Sequence, residues 1–481
     1  MKLIFEKSVP GRTGVSMGAA DESVLKSIGD RYLRATDSGL PEVSELDVVR
    51  HYLRLSQLNF SVDTHFYPLG SCTMKYNPKV NEAVSSLPGF AGLHPYLAYI
   101  DEGSVQGSLE LIHTLSSFLA EITGMAGVTT QPYAGAHGEL AGILLMAAYH
   151  RSRGNKKRVV IVPDEAHGTN PASAAMGGYD VVSIPVNSGG GMDLERFREA
   201  MNDEVAGVML TLPNTLGMFH PEIREIVEMA RKHDALLYND GANLNAILGK
   251  ARPGDIGFDI VHMNLHKTFS TPHGGGGPGA GVVAVSEKLV DFLPTPVVAR
   301  ADDGKFYLDF SLKNSIGSLA SFFGNFAVLV RAAVYIMMLG REGLIDVSEK
   351  AVLNANYIRV KLAPYYDLPY NRTCMHECVF SARRQVRKSG VHAIDIAKAL
   401  IERGFHPPTI YFPLVVDEAL MIEPTETESK ETIDAFIDAM IDIANLADTD
   451  PGRLKNAPNN TPVSRPDETR AARELKLTWN P

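Results

Sequence analysis

Cysteine is scarce in this chain. Cys72, Cys374 and Cys378 are the only three among 481 residues, too few for a disulfide framework and in keeping with a reducing compartment. Cys374 and Cys378 fall in TCMHECVFS, whose valine, phenylalanine and alternation read as a strand. Four residues of strand separate them by about 13 Å, beyond bridging. His376 lies between them, but no second ligand pair stands at zinc spacing, so no metal site is expected. Long apolar runs are also missing. No stretch approaches 18 apolar residues, and MKLIFEKSVPGRTG at the N-terminus lacks the core of a signal peptide, which argues against a membrane span and for the cytoplasm. Basic excess is absent as well: 46 Lys and Arg against 56 Asp and Glu give a net charge of −10. Such a balance argues against nucleic-acid binding, and the short cluster RSRGNKKR at 151–158 reads as a solvated helix end running into a strand.

What is present is an alternation of helical and strand patterns. Leu111, Leu115, Phe118, Leu119 and Ile122 stand at helical spacing in GSLELIHTLSSFLAEITGM, which stops at Gly124, where a left-handed cap suits glycine. GELAGILLMAAYHRSRG repeats the logic, with Gly154 at its end. Short runs rich in valine and isoleucine follow: RVVIVP, DVVSIPV, AGVMLTLP, ALLYND, DIVHMNLH and GVVAVS, with helical PEIREIVEMARKHD among them. Such an order predicts an α/β domain with a mostly parallel sheet covered on both faces, over about 80–330. An N-terminal arm with helices precedes it over 1–79. FFGNFAVLVRAAVYIMMLG reads as a long buried helix, and a smaller C-terminal α/β domain is expected over 331–450. The polar, proline-punctuated end, 451–481 with Trp479, reads as an arm.

The most informative stretch is NLHKTFSTPHGGGGPGAG at 264–281. Gly274, Gly276 and Gly279 satisfy the letter of a dinucleotide fingerprint, but they precede the strand GVVAVS instead of opening a helix. No Walker motif is present either. The remaining reading is a lysine, Lys267, at a strand end, able to form a Schiff base with a carbonyl, as in pyridoxal phosphate enzymes. The glycines would then let backbone pass close to the lysine-bound group. That cofactor needs a carboxylate for its ring nitrogen, which Asp240 supplies at the end of another strand. Its phosphate needs backbone N–H groups at a helix start, which AGAHGELAGILL offers from Ala134. Its ring needs a flat partner, and His167 in DEAHGTNPAS follows the strand VVIVP.

These segments, together with NDGANLNA, PLGSCTMKYNP and ALMIEPTETESKETIDAFIDAM, resemble the P-protein of the glycine cleavage system, glycine dehydrogenase (decarboxylating), in the form split into two chains, and in particular its second subunit. The resemblance covers almost the whole chain. It implies the aspartate aminotransferase-like fold, fold type I of the pyridoxal phosphate-dependent transferases. It implies Lys267 as the Schiff-base lysine, Asp240 at the ring nitrogen, His167 stacked on the ring and Ala242 beneath it. Ala134, Gly135 and Ala136, with Thr268, would hold the phosphate, while His137 and Ser71 to Lys75 would line the site. The sequence departs from many relatives in having Tyr133 and Ala134 where they carry asparagine and serine, which removes side-chain donors and leaves the backbone ones.

The implied reaction is decarboxylation of glycine with transfer of the aminomethyl group to the lipoyl arm of H-protein. His167 and His266 are the candidates for proton handling, because imidazole titrates near neutral pH. The implied assembly pairs two second subunits with two homologous first subunits. The segment 64–77 and the C-terminal arm, polar and aromatic without strong periodicity, are expected to meet that partner. Another pyridoxal phosphate enzyme, such as an amino-acid decarboxylase or aminotransferase, a non-catalytic partner subunit of that fold and a nucleotide-binding module stand as the alternatives.

Overall fold

The computed structural model of the chain describes all residues except Met1, Met17, Ala19, Ala20, Asp37, 274–278 and 479–481, and the side chain of Leu25. Gly274 and Gly276 of the glycine run, and Trp479, therefore lie outside the described residues.

Seven strands form the main sheet in the order β1-β7-β6-β5-β4-β2-β3. They are β1 (Gly127–Thr129), β2 (Val159–Pro163), β3 (Asp180–Ile184), β4 (Val205–Thr211), β5 (Leu236–Gly241), β6 (Ile260–Asn264) and β7 (Gly281–Val285). From β3 through β6 every pairing is parallel. β7 runs antiparallel to both β6 and β1. The cause is the connection before it: among the described residues between Asn264 and Gly281 only one helical turn forms, Leu265–Thr268, and a parallel return normally needs a full crossover helix. Every residue of β5, β6 and β7 is buried, as expected of strands covered on both faces.

Two layers cover the sheet. On one side the helix Gly135–Ser152 packs Ile143, Leu145 and Met146 against Val160, Tyr238 and Val283. On the other, Leu115 and Leu119 of the helix Gln106–Thr123 and Ile226 and Ala230 of Ile223–Lys232 join Val208, Leu237 and Val261. Gly124 ends the former helix in the left-handed conformation, φ 70°, as the sequence pattern predicts.

A second core surrounds an antiparallel sheet, β10-β12-β11, made of β10 (Cys378–Ser381), β11 (Thr409–Ile410) and β12 (Ala419–Ile422). The hairpin β8 (Val297–Arg300) and β9 (Phe306–Asp309) lies apart from both sheets. The helices Ala393–Glu402 and Lys430–Thr449 cover the smaller sheet with Ile396, Leu400, Phe436 and Met440. One helix, Phe326–Leu362, serves both cores: Leu329 and Ala333 enter the first, Ile358 and Leu362 the second. It is longer than its apolar stretch suggests and is interrupted at Gly340, φ 59° and ψ −171°, a conformation only glycine adopts readily.

Two expectations need correction. Thr373 to Glu377 is not strand, because β10 begins at Cys378; the chain bends there and brings the Cys374 and Cys378 side chains near one another, both buried and free. The segment 64–77 is no partner-facing surface along its length. Phe66 joins the second core, Leu69 bridges Ile422, and Thr73 and Lys75 are buried. Without periodicity, a segment threaded between two cores looks the same in sequence as an exposed loop.

Candidate active site

A cavity of about 240 Å³ opens where the parallel strands end, the usual ligand position in such sheets. β2 leads to His167, β4 to Pro213 and Thr215, β5 to Asp240, Ala242 and Asn243, and β6 to Asn264 and Lys267. Gly135 and Ala136 enter from a helix start, Ser71 from the N-terminal segment, and His376 and Glu377 from beside β10.

Lys267 donates from Nζ to the carbonyl oxygen of Ser71 at 2.6 Å. Ser71 is left-handed at φ 65°, a costly conformation for a residue with a Cβ and one that clusters at functional sites. It turns the Ser71 N–H the other way, donating to Glu377 Oε2 at 3.2 Å.

Asp240 is 4% exposed. Asn170 Nδ2 donates to its Oδ2 at 2.9 Å and the Ala242 N–H to its Oδ1 at 3.0 Å. His262 Nε2 stands 3.5 Å from the same carboxylate, while its Nδ1 is 2.6 Å from the Tyr238 hydroxyl. Burial alone would raise the Asp240 pKa, but His262, these two donors and Lys267 together hold it below the ordinary aspartate value. A carboxylate kept ionised in a dry wall is suited to holding a cationic ring nitrogen.

His167 lines the cavity with its outer side open, edge-on to Phe412 at 5.6 Å. Its Nδ1 is 2.8 Å from Thr169 Oγ1, which donates to Glu139 Oε1 at 2.7 Å. Enclosure lowers the His167 pKa, with Asp240 opposing and Lys267 adding. Glu139 is pushed up to about 7 by burial and then by the charge of Asp240.

The helix Gly135–Ser152 starts from Ala134, extended and without a side-chain cap. Gly135 and Ala136 therefore bring first-turn N–H groups and the positive end of the helix to the cavity, an anion cradle. Glycine is required around it. A Cβ at Gly281 would overlap the Ala134 carbonyl, one at Gly138 would overlap the Gly281 carbonyl, and one at Gly135 would strike Asn264.

The structure thus brings Lys267, Asp240, His167, Ala242, Gly135 and Ala136 together. Other expected residues sit back. His266 does not line the cavity; its Nδ1 accepts from the Ala280 N–H at 3.2 Å, its ring meets His273 edge-on, and burial, His273 and Lys267 lower its pKa to about 3. A ring behind the wall, bonded to the Ala280 N–H, is poorly placed to move protons in the cavity. Thr268 is buried, its Oγ1 accepting from the Leu244 N–H at 2.8 Å. His137 accepts from the Tyr133 N–H, and Lys75 turns away to Glu426. Ala134 contributes its place as the helix cap and does not itself line the wall. Gly279 approaches backbone-close to the His266 ring, so its packing partner is that histidine.

The Glycine cleavage system P-protein family matches residues 18–313, and the C-terminal domain family of glycine dehydrogenase matches 347–463. The chain belongs to the glycine cleavage system P-protein family. Among its P-protein relatives, the probable glycine dehydrogenase (decarboxylating) subunit 2 of Caldanaerobacter subterraneus subsp. tengcongensis is 55% identical, across 99% of this chain and 98% of that protein. The protein of the same description from Listeria welshimeri is 53% identical, across 100% and 98%. In fold, the chain is similar to a glycine decarboxylase (P-protein) crystal structure in inhibitor-bound form, TM-score 0.72 at 23% identity over 88% of this chain and 95% of that one. It is similar too to Lactobacillus brevis glutamate decarboxylase, TM-score 0.64 at 12% identity over 87% and 96%. The fold is fold type I of the pyridoxal phosphate enzymes.

Sequence reasoning missed several members of this P-protein site: Glu139, Asn264, His376, Glu377 and, behind the wall, Glu423. The available signal was position. Asn264 ends β6, and Glu377 and Glu423 flank the ends of β10 and β12.

Proposed function

We propose that the chain decarboxylates glycine with pyridoxal phosphate held on Lys267 and delivers the remaining aminomethyl group to the lipoyl arm of H-protein, as the second subunit of a P-protein. The observation that carries this reading is the convergence, in one cavity, of an amine, a buried ionised carboxylate and an uncapped helix start. That donor set fits the cofactor. The Gly135 and Ala136 N–H groups would hold the phosphate, Asp240 the ring nitrogen and Lys267 the carbonyl carbon, with His167 and Ala242 against the ring. When bound, pyridoxal phosphate accepts the electron pair left on the α-carbon as CO2 departs.

The protein's own groups do the rest. Asp240 keeps a proton on the ring nitrogen, because a carboxylate held ionised favours the cation beside it by roughly 1 to 3 pKa units. Ser71 positions the lysine amine through its carbonyl. The buried ends of β5 and β6 keep water from Asp240. Among the described residues lining the cavity Lys267 is the only cation, so no clamp awaits a second carboxylate, which favours glycine over an acidic amino acid.

An exposed apolar stripe supports a partner. Leu46, Val49 and Leu53 form a stripe on the helix Glu45–Ser56 and are 55%, 55% and 57% exposed. Contiguous apolar surface of this kind suits a first subunit, in an assembly of two and two. The test is to load the purified chain with pyridoxal phosphate, reduce with borohydride and map the label, then measure glycine-dependent CO2 exchange with lipoylated H-protein, with and without the first subunit. We expect the label on Lys267 and exchange that depends on the partner. A label on another lysine, or full exchange by the lone chain, refutes the corresponding part.

A further inference from the structure

Two carboxylates outside the cofactor-holding set stand on the second core's side of the cavity. Glu377 forms part of the wall and Glu423 lies behind it, 3% and 0% exposed. Their proximity follows from sheet register. β10 pairs antiparallel with β12, Cys378 opposite Ile422, so the next residue on each chain, Glu377 and Glu423, falls opposite its counterpart at the sheet end. One ligand atom each of His376, Glu377 and Glu423 lies within 4.8 Å of the others. Like charges directly opposite one another repel.

No lysine or arginine among the described residues makes an ion pair with either carboxylate. Lys267 donates to Ser71 and Lys75 pairs with Glu426. His376 Nε2 is 3.7 Å from Glu377 Oε1, but burial and then Lys267 push the ring's pKa down to about 3, so it is neutral. Glu423 Oε1 accepts from Thr73 Oγ1 at 2.7 Å and Asn243 Nδ2 at 2.8 Å, while its Oε2 has no hydrogen-bond partner. Two full negative charges in so dry a place are costly, and two carboxylates relieve that cost by sharing a proton.

We propose that Glu377 and Glu423 hold one proton between them and that Glu377 accepts the ammonium proton of the incoming amino acid, returning it to the Lys267 amine. The inference rests on the cofactor reading above. An amino acid arrives with a protonated nitrogen, which cannot attack a carbon. Its N–H bond breaks, the shared proton settles on Glu423 as an O–H bond forms on Glu377, and the nitrogen keeps the electron pair with which it displaces Lys267. The O–H bond then breaks as Nζ takes up the proton, leaving the pair as it began. Ser71 joins the two ends of this path, its N–H on Glu377 and its carbonyl on Nζ. Glu423 acts through Glu377 and is a positioning residue. Burial raises both carboxylates, the charge of Glu423 raises Glu377 further, and Glu423 reaches about 7. The other titratable groups facing the pair are Lys267, Lys75, Cys72, Cys374 and His376.

The test has a cofactor-free arm. Infrared difference spectra of the apo protein, parent against a Glu377→Gln/Glu423→Gln double variant, should show a protonated-carboxyl band at neutral pH in the parent that the double variant lacks. In the second arm, the loaded Glu377→Gln enzyme is mixed with glycine and the absorbance change on displacement of Lys267 is followed. We expect a slowing of about 100-fold, the scale of lost general acid–base transfer, with the pH limb near neutrality gone and both partly restored in Glu377→Asp. Borohydride labelling of Lys267 in each variant shows that the site has assembled, and a parent that fails to label there indicts the cofactor reading instead. Absence of the band in the parent overturns the shared proton. A Glu377→Gln enzyme that labels normally and reacts at the parent rate with the parent pH profile overturns the relay.

Discussion

Replacing Lys75 by methionine removes the ammonium from a buried polar knot. Nζ lies 2.7 Å from Glu426 Oε1, 3.0 Å from Asn245 Oδ1 and 3.1 Å from the Tyr335 hydroxyl. The two charged side chains are 1% and 8% exposed. Without the lysine, Glu426 keeps the Tyr335 hydroxyl at 3.2 Å and an Oε2 with no partner. Breaking a buried pair from one side costs about 3 to 5 kcal/mol, because the orphaned charge stays desolvated. An unfolding entropy of about 2.1 cal/mol/K per residue over 481 residues is roughly 1 kcal/mol/K. If the chain unfolds as one unit, the Tm of Lys75→Met falls by about 3 to 5 °C; if the second core melts first, it falls further. The Lys75→Met/Glu426→Leu double variant should recover more than half of the loss, because no charge is orphaned. Burial depresses the Lys75 pKa, and Glu426 and Tyr335 together outweigh it, so the folded value is raised. The contribution is therefore complete at neutral pH and is lost only as pH climbs through that raised value. The assay is scanning calorimetry of the apo parent, Lys75→Met, Glu426→Leu and the double variant at neutral pH. A lysine variant melting within a degree of the parent, or a double variant as unstable as the sum of the singles, refutes the reasoning.

Three further outcomes follow from the geometry. Asp240→Asn should still bind pyridoxal phosphate but lose most glycine turnover, as read by absorbance and CO2 exchange; parent-like turnover would exclude the electron-sink role. Gly281→Ala should weaken cofactor binding by at least tenfold in equilibrium dialysis, because its Cβ overlaps the Ala134 carbonyl at the anion cradle; unchanged affinity means the cradle is placed wrongly. Glu165 is 1% exposed, and burial raises its pKa from 4.5 to about 7, so the folded protein binds its proton more tightly than the unfolded chain and this residue costs stability as pH rises through that window. The Tm of Glu165→Gln relative to the parent should therefore climb between pH 4.5 and about 7, and a flat difference would show that the carboxylate is relieved by a partner.

The strand-end residues were legible because each follows an apolar run whose direction the βα alternation sets. Asp240, Lys267 and His167 all come from this one rule, and the helix start at Gly135 from the glycine pattern. His266 was misplaced by the same rule: it neighbours Lys267 in sequence, but in a helical turn adjacent residues point about 100° apart. Glu377 and Glu423 were not legible, because a glutamate in sequence carries no sign of burial and the register that opposes them is set by a sheet from the second core. The Cys374–Cys378 separation failed where strand geometry was extended over residues that turn.

The long reach of the segment at Ser71 bears on how the enzyme comes into being. Ser71 meets Glu377 across 306 residues, Thr73 meets Glu423 across 350 and Lys75 meets Glu426 across 351. Closing a loop of that length costs on the order of 5 kcal/mol in chain entropy before any contact is made, and such distant contacts form late. A nascent chain that has emerged only as far as β7 already holds Lys267, Asp240 and the anion cradle, yet it lacks the wall that carries Glu377. Competence for catalysis is thereby tied to synthesis well past β7: the reactive lysine is made early, and Glu377 and Glu423 arrive only with the second sheet.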